Sequence, residues 1–327
     1  MTADSLAIII PAYRAQFLAA SLESILAQTD QQFNLYVFDD ASPEPVRSLV
    51  EKFQSHRKIV YHRFEENFGA RSLTQQWARC VEATTEPWVW LFSDDDEMQP
   101  DCVASLRREI EATAGRYDLY RFNTRCLNEQ SQVVAENEPY PLEESGRDFL
   151  LVRLRGERGS TMQELIFSRQ AWKAAGGFPD FPMAWAADDA FIASLGRQKP
   201  IRHIAGPRVH WRLSEGNITG QKSTALLGRK IQACREYIVW VNRYFLADRP
   251  GGAQLAQSEL DALTEGWFFR GLYYRRKWVD WPTCRQADAF AASVWNRPRG
   301  YGAAKCLRLN LNWFLGAIWR RISRARS

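Results

Sequence analysis

Three clusters of carboxylates stand out in the chain: Asp39-Asp40, Asp94-Asp95-Asp96 and Asp188-Asp189. Consecutive aspartates behind an apolar run are costly to pack, because like charges repel and a buried unpaired carboxylate costs several kcal/mol. A hard divalent cation removes that penalty. Carboxylate oxygens suit Mg²⁺ or Mn²⁺, and Mg²⁺ sites usually combine one or two carboxylates with phosphates of a substrate. His210 and Arg212 lie in a later polar stretch. An imidazole can ligate a metal, and a guanidinium can meet a diphosphate through two parallel hydrogen bonds.

The elements that must carry these groups alternate. Leu6–Ile10 reads as a buried strand ended by Pro11, Phe17–Ala27 as a helix, and Leu35–Phe38 as a strand closed by Asp39-Asp40-Ala41-Ser42-Pro43. Val46–Phe53 reads as a helix, Ile59–Phe64 as a strand, Ser72–Ala83 as a helix, and Trp88–Phe92 as a strand running into Ser93 and the three aspartates. A βαβαβαβ order implies a parallel sheet with helices on both faces, and ligands of such sheets sit at the carboxyl ends of the strands. Two of the three acidic clusters fall there. Further on, Pro100–Thr113 reads as a helix, Asp118–Asn123 as a strand, and Asn128–Glu143 as polar loops. Met162–Phe167 is expected as a strand, Gln170–Ala175 as a helix stopped by Gly176-Gly177, Ala187–Leu195 as a helix opening on Asp188-Asp189, and Val209–Arg212 as a strand. Past about residue 222 the pattern is helical: Ala225–Phe245, Leu255–Val279 and Tyr301–Ile322.

Length and charge narrow the function. A chain of 327 residues, 46% hydrophobic and 25% charged, has the composition of an ordinary globular protein and can bury a large core. Its net charge of +5 is concentrated at one end. From Arg297 onward there are eight basic residues and no acid, so the remainder is mildly acidic. That distribution disfavours a nucleic-acid binder, which spreads basic charge over its body. The six cysteines are scattered without a CxxC pair, the pattern of reduced thiols rather than of a disulfide framework or zinc site. Neither a secretory leader nor an apolar run of 18 residues is present, which leads to the expectation of a cytoplasmic protein without an ordinary membrane span. No GxGxxG follows the first strand, against a dehydrogenase, and Pro11–Ala20 is not the Gly-rich basic loop of a sugar nucleotidylyltransferase.

Taken in order, the motifs resemble those of the family 2 glycosyltransferases. Ile8-Ile9-Ile10-Pro11-Ala12-Tyr13 resembles the opening strand and its Pro-x-Tyr-Asn turn, and Ser24-Ile25-Leu26-Ala27-Gln28-Thr29 the following helix end. Phe38-Asp39-Asp40-Ala41-Ser42 resembles Val-Asp-Asp-Gly-Ser, Asn67-Phe68-Gly69 the Asn-x-Gly turn, and Leu91-Phe92-Ser93-Asp94-Asp95-Asp96 the DXD region, with Pro100 following. Gly176-Gly177-Phe178, Asp188-Asp189 in place of Glu-Asp, and Trp211-Arg212 through Gly216-Asn217 complete a resemblance that covers about residues 5 to 220. Where the family has Asn after its Tyr this chain has Arg14; Ala41 replaces Gly, Phe92 replaces an Asp, Asp188 replaces Glu, and Gln75 and Gln76 sit near a common Asn.

The resemblance implies an α/β fold of GT-A type, a Rossmann-like, mostly parallel sheet with a helical C-terminal extension. The expected division is a catalytic domain over 1–220, with a nucleotide-binding half at 1–100 and an acceptor half at 101–220, followed by a helical region over 221–327. It implies inverting transfer of a sugar from a UDP- or dTDP-sugar to a hydroxyl of a glycan or lipid-linked acceptor in surface polysaccharide synthesis. Asp40 would accept a hydrogen bond from the pyrimidine N–H, Asp39 would hold that loop, and Pro11, Ala12 and Tyr13 would line base and ribose. Asn67, Gly69, Asp94 and Arg212 complete the expected nucleotide-binding set. Asp95 and Asp96, with His210, would hold Mn²⁺ or Mg²⁺, which offsets charge growing on the departing diphosphate. Asp189, rigid at a helix N-terminus, would take the acceptor's proton. Asp188 and Trp185 are assigned to the acceptor, whose identity is expected to depend on region 124–160 and the loop Phe181–Trp185.

The end of the chain carries a separate signal. Leu307, Leu311, Phe314, Leu315, Ile318 and Ile322 share one helical stripe, flanked by Trp313 and Trp319, with Lys305, Arg308, Arg320 and Arg324 mostly opposite. This is the pattern of an amphipathic helix lying on an anionic membrane surface, here the inner face of the cell membrane. The aromatic stretches Trp267–Phe269 and Tyr273–Trp278 have the same character. A non-catalytic, glycosyltransferase-like membrane scaffold is the competing expectation, motivated by the altered Phe92 and Asp188 positions.

Overall fold

The structure is a computed structural model; it describes residues 5–53, 59–214, 225–246, 255–273 and 279–312. Its centre is β1 (Leu6–Ala12), in which Ala7 through Ile10 are fully buried. A run of branched apolar residues buried on both faces is what an interior parallel strand requires. β1 is flanked in parallel by β2 (Phe33–Asp39) and β4 (Trp88–Leu91), and β2 by β3 (Ile59–Arg63). The register sets Ala12 beside Asp39 and Asp39 beside Arg63, so these strands end together. Helices α1 (Leu18–Leu26), α2 (Val46–Glu51) and α3 (Leu73–Glu82) make the connections, and Ser72 caps α3 by accepting the Gln75 N–H at 3.2 Å.

Beyond β4 the sheet becomes mixed. After β5 (Glu97–Met98) and α4 (Cys102–Thr113) come β6 (Leu119–Leu127), β7 (Val133–Glu136), β8 (Glu143–Glu144) and α5 (Gly146–Arg155). A 3₁₀ turn at Met162–Glu164 leads to β9 (Leu165–Ser168) and α6 (Arg169–Ala174), and a second at Pro182–Ala184 to α7 (Ala187–Leu195) and β10 (Ile201–Arg212). The main strand order is β3-β2-β1-β4-β9-β6-β10-β5, with β7 on β6 and β8 on β10. β6 and β10 run parallel; β5, β7, β8 and β9 pair antiparallel. The expected strands and helices up to Phe92 are all present. The polar region 128–143 departs from expectation: it contains β7, with every residue exposed, and β8. Pairing with β6 and β10 makes these strands, against their own composition. α5 was not expected either, although Ser145 accepts the Asp148 N–H at 3.1 Å in the manner of a capping box.

The chain divides into two compact units, Met1–Arg153 with Arg158–Thr219, and Leu154–Glu157 with Gly220–Ser327. The second contains α8 (Ala225–Leu246), α9 (Gln257–Tyr273), α10 (Trp281–Trp295) and a helical segment over 301–312. α10 was not separated in the sequence, though Asp280 caps it through the Thr283 N–H at 2.9 Å. Phe268 and Phe290 stack at 4.1 Å between ring centres, and buried Glu265 accepts from Arg297, Tyr301 and Lys305. In segment 301–312 the inward positions are Ala303, Cys306 and Asn310, whereas Leu307 and Leu311 are exposed. The rest of the expected apolar stripe, Phe314 to Ile322, lies outside the described residues, as does Asn217.

Candidate active site at the carboxyl edge of the sheet

The joint ends of β1, β2 and β4 place the first two acidic clusters side by side. Asp39 is fully buried and committed to structure. Its Oδ1 accepts the Ser42 N–H at 2.7 Å, and its Oδ2 accepts Tyr61 Oη and Arg63 Nη1, both at 2.6 Å. Asp39 therefore shapes the loop after β2, as expected for a loop-holding residue. Ala41 in that loop has φ +52°, a left-handed backbone where the family pattern has Gly.

Asp40 is 4% exposed. It accepts the N–H groups of Phe68 and Gly69, each at 2.8 Å, and Arg79 Nη2 at 2.5 Å. A carboxylate has about four acceptor positions, so these three bonds leave one. The spacing explains Gly69: a Cβ there would lie 2.7 Å from Asp40 Oδ2. Asn67 accepts the Ala70 N–H at 2.9 Å and so holds the same turn. Arg79, which the sequence did not single out, lies over the Phe64 ring at 3.7 Å while paired with Asp40. Its position in the last turn of α3 does not reveal the pairing, which spans 39 residues.

The turn after β1 is tied to the third strand. Asp94 Oδ2 accepts the N–H groups of Tyr13 and Arg14, both at 2.8 Å, and Ser42 Oγ donates to the Tyr13 carbonyl at 2.5 Å. Pro11 and Ala12 lie directly under this turn, and the Tyr13 side chain is exposed. Asp94 thus builds the turn that Tyr13 occupies. Burial raises all three acids of the Asp94–Asp96 run. For Asp95 burial and then the adjacent Asp94 charge push it up to about 7, and for Asp96 burial and then Asp95 do the same. The charge conflict expected from the sequence is present.

Two expected ligands are placed elsewhere. Arg212 was expected on a diphosphate. It is fully buried, and its backbone N–H donates to Asp96 Oδ1 at 2.7 Å. Its guanidinium donates to the Asp95 and Asn128 carbonyls at 2.9 and 2.8 Å, to Ser131 Oγ at 3.1 Å and to Glu97. Arg212 is a brace beneath the acidic run rather than a phosphate contact, because its donors are committed and no surface is open. His210 was expected on the metal. It pairs in register with Glu97, and the charges acting on it are Glu97 and the arginines 125, 208 and 212. Burial lowers its pKa, and its Nε2 is buried without a hydrogen-bond partner. Strand register gives it this company, and among the described residues no three His, Cys, Asp or Glu side chains are gathered as a ready metal-ligating group.

The third cluster opens α7. Asp189 is 1% exposed, and its Oδ1 accepts Arg153 Nε of α5 at 2.7 Å. Asp188 is more open, and burial followed by the Asp189 charge pushes it up to about 7. The loop before it is strained: Met183, Ala184 and Ala186 have φ of +62°, +52° and +61°, and Trp185 lies among them. Non-glycine residues held in this region cost about 1–3 kcal/mol each and cluster at functional sites. Asp180 anchors the loop to the start of α3 by accepting from Ser72, Thr74 and Gln75 at 2.8, 2.5 and 2.9 Å.

A mixed α/β sheet with this strand order, its acidic loops at the carboxyl ends of β2 and β4, is of the GT-A class of fold. The solved structure of Staphylococcus aureus TarS 1-349 in complex with UDP-GlcNAc superposes with a TM-score of 0.65 at 14% identity, covering 97% of this chain and 92% of that one. Residues 7–151 match the family described as Glycosyl transferase family 2. Abequosyltransferase RfbV of Salmonella typhimurium is 26% identical over 181 residues, half of this chain and 53% of RfbV. Chondroitin synthase of Escherichia coli is 25% identical over 153 residues, 41% of this chain and 22% of that protein. The chain thus spans about half or less of the length of these two relatives.

Proposed function

We propose that the chain transfers a sugar, with inversion, from a UDP- or dTDP-sugar to a hydroxyl of a glycan or lipid-linked acceptor during bacterial surface polysaccharide synthesis. The observation that carries this reading is the juxtaposition of Asp40, the Tyr13 turn and Asp94–Asp96 at one sheet edge. The remaining acceptor position of Asp40 suits a pyrimidine N–H, and exposed Tyr13 suits the base or ribose. The complex of TarS with UDP-GlcNAc supports a uridine donor, and an abequosyltransferase and a chondroitin synthase as relatives support a glycan acceptor.

Asp95 and Asp96 fit a hard divalent cation, Mn²⁺ or Mg²⁺, since each carries a proton-raising charge conflict that such an ion relieves. The ion would supply Lewis-acid stabilisation of the leaving diphosphate. In the transfer, the acceptor oxygen forms a bond to the anomeric carbon as the bond from that carbon to the diphosphate oxygen breaks. The nucleoside diphosphate leaves with the bonding pair, and the hydroxyl proton passes to Asp189.

Among the described residues no helix is long and apolar enough to cross a membrane. Exposed Leu307 and Leu311 beside exposed Arg308 support a peripheral placement on the inner face of the cell membrane. A non-catalytic scaffold is not favoured, because Asp40, Asp95 and Asp96 stand together at the sheet edge and Asp189 opens α7. The test is release of UDP from UDP-Glc, UDP-Gal, UDP-GlcNAc and UDP-GalNAc with Mn²⁺ present. One of these is expected to turn over, and Asp189→Asn is expected to slow it by roughly a hundredfold or more while leaving the UDP-induced thermal shift in place. Full activity in that variant would contradict the assignment.

A further inference from the structure

α5 and the segment after it contribute to the acceptor side through a chain of alternating charges. Arg153 Nε donates to Asp189 Oδ1 at 2.7 Å, and Arg153 Nη1 donates to the Arg158 carbonyl. Arg158 in turn grips Glu144 with both terminal nitrogens, at 3.1 and 2.5 Å. Glu144 also accepts Arg121 at 3.3 Å, and Arg121 pairs with Glu164 while lying over the Tyr140 ring at 3.8 Å. Arg121 and Glu164 are 1% and 0% exposed. Arg153 is thus held on one side by the carbonyl of Arg158, whose own side chain is anchored in this framework, and on the other meets Asp189.

Asp188 and Asp189 begin the same helix, yet Arg153 makes its short hydrogen bond to Asp189 alone among the two. The charged groups facing the pair are Arg153 from α5 and Glu164 from the turn before β9. A guanidinium bonded to one member of a carboxylate pair fixes the orientation of that member's carboxylate. With Oδ1 held, Oδ2 of Asp189 makes no hydrogen bond among the described residues.

We propose that Arg153 is a positioning residue for the transfer reaction, holding Asp189 oriented so that its free oxygen receives the acceptor's hydroxyl proton. Arg153 itself touches no substrate. This rests on the reading of Asp189 as the proton acceptor.

The experiment uses the full chain and whichever of the four UDP-sugars or dTDP-Glc it turns over, with rates followed from pH 5 to 9. Arg153→Gln is expected to lower kcat about tenfold or more, to leave KM for that donor within about twofold, and to move the acidic limb of the pH profile upward by about one unit. Arg153→Lys, which restores a point charge without the fork, is expected to recover part of the rate and of the limb. In an Asp189→Asn background, Arg153→Gln is expected to cost nothing further in rate. An unmoved acidic limb in Arg153→Gln, or equal losses by Arg153→Gln with and without Asp189, would overturn the proposal. If Arg153→Gln does not fold, the limb of Arg153→Lys decides by the same criterion. Full activity of Asp189→Asn alone, or no turnover of any of the four UDP-sugars or of dTDP-Glc by the unaltered chain, would instead overturn the reading on which the proposal rests.

Discussion

At the scale of residues, the candidate site is built by acids that do two kinds of work. Asp39 spends both oxygens on the Ser42 N–H and the Tyr61 and Arg63 side chains, and Asp94 holds the Tyr13 turn through Oδ2, whereas Asp40 and Asp189 keep acceptor capacity beyond the bonds that hold them. The sequence shows the acids but not this division, because the partners Tyr61, Arg79 and Arg153 are 22, 39 and 36 residues away. The same distance hid the role of Arg212, whose type suggested a phosphate contact and whose burial makes it a brace. Ala41 gives a prediction at this scale. Its φ of +52° disfavours any side chain, so Ala41→Gly relieves strain while adding some chain entropy to the unfolded state. The variant is expected to be more stable by about 0.5 kcal/mol in urea unfolding, with unchanged nucleotide binding.

At the scale of elements, legibility followed local signals. The strands β1, β2 and β4 are apolar runs closed by turn residues, and α3 has its Ser72 cap, so this parallel half of the sheet was readable. β7 and β8 were not, because their strand character comes from pairing with β6 and β10 rather than from alternation of their own. The element that joins β4 to β5 carries the charge conflict, and its consequence for pH has a definite sign. Asp95 binds its proton more tightly in the folded chain, at about 7, than an ordinary carboxylate does when unfolded. That contribution is present at low pH and is lost as the pH rises through about 7. In EDTA, the unaltered chain is expected to lose thermal stability between pH 5.5 and 8 relative to Asp95→Asn. Mn²⁺ is expected to restore more stability at pH 8 than at pH 5.5, since the ion takes the place of the proton. Melting curves at the two pH values, with EDTA and with Mn²⁺, measure both effects; an Asp95→Asn curve parallel to that of the unaltered chain would contradict them.

At the scale of the whole molecule, the GT-A fold accounts for the sheet and its acidic edge, and the second unit is helical throughout its described elements. The segment 301–312 turns Ala303, Cys306 and Asn310 inward and leaves Leu307 and Leu311 outside. An apolar stripe four residues apart beside basic residues suits a lipid surface carrying anionic headgroups. Leu307→Asp with Leu311→Asp is expected to abolish sedimentation of the chain with vesicles containing anionic phospholipid, while its UDP-induced thermal shift stays as before. The central claim, a pyrimidine-diphosphate donor held at Asp40 and the Asp94–Asp96 run, is tested most directly by thermal shift with UDP, dTDP, GDP and CMP, each in Mn²⁺, Mg²⁺ and EDTA. Ligands that bind the folded state raise the melting temperature according to their affinity. A rise with UDP or dTDP that requires the divalent ion, and none with GDP or CMP, is the predicted result; no rise with any of the four, or one that is the same for all and unaffected by EDTA, would contradict it.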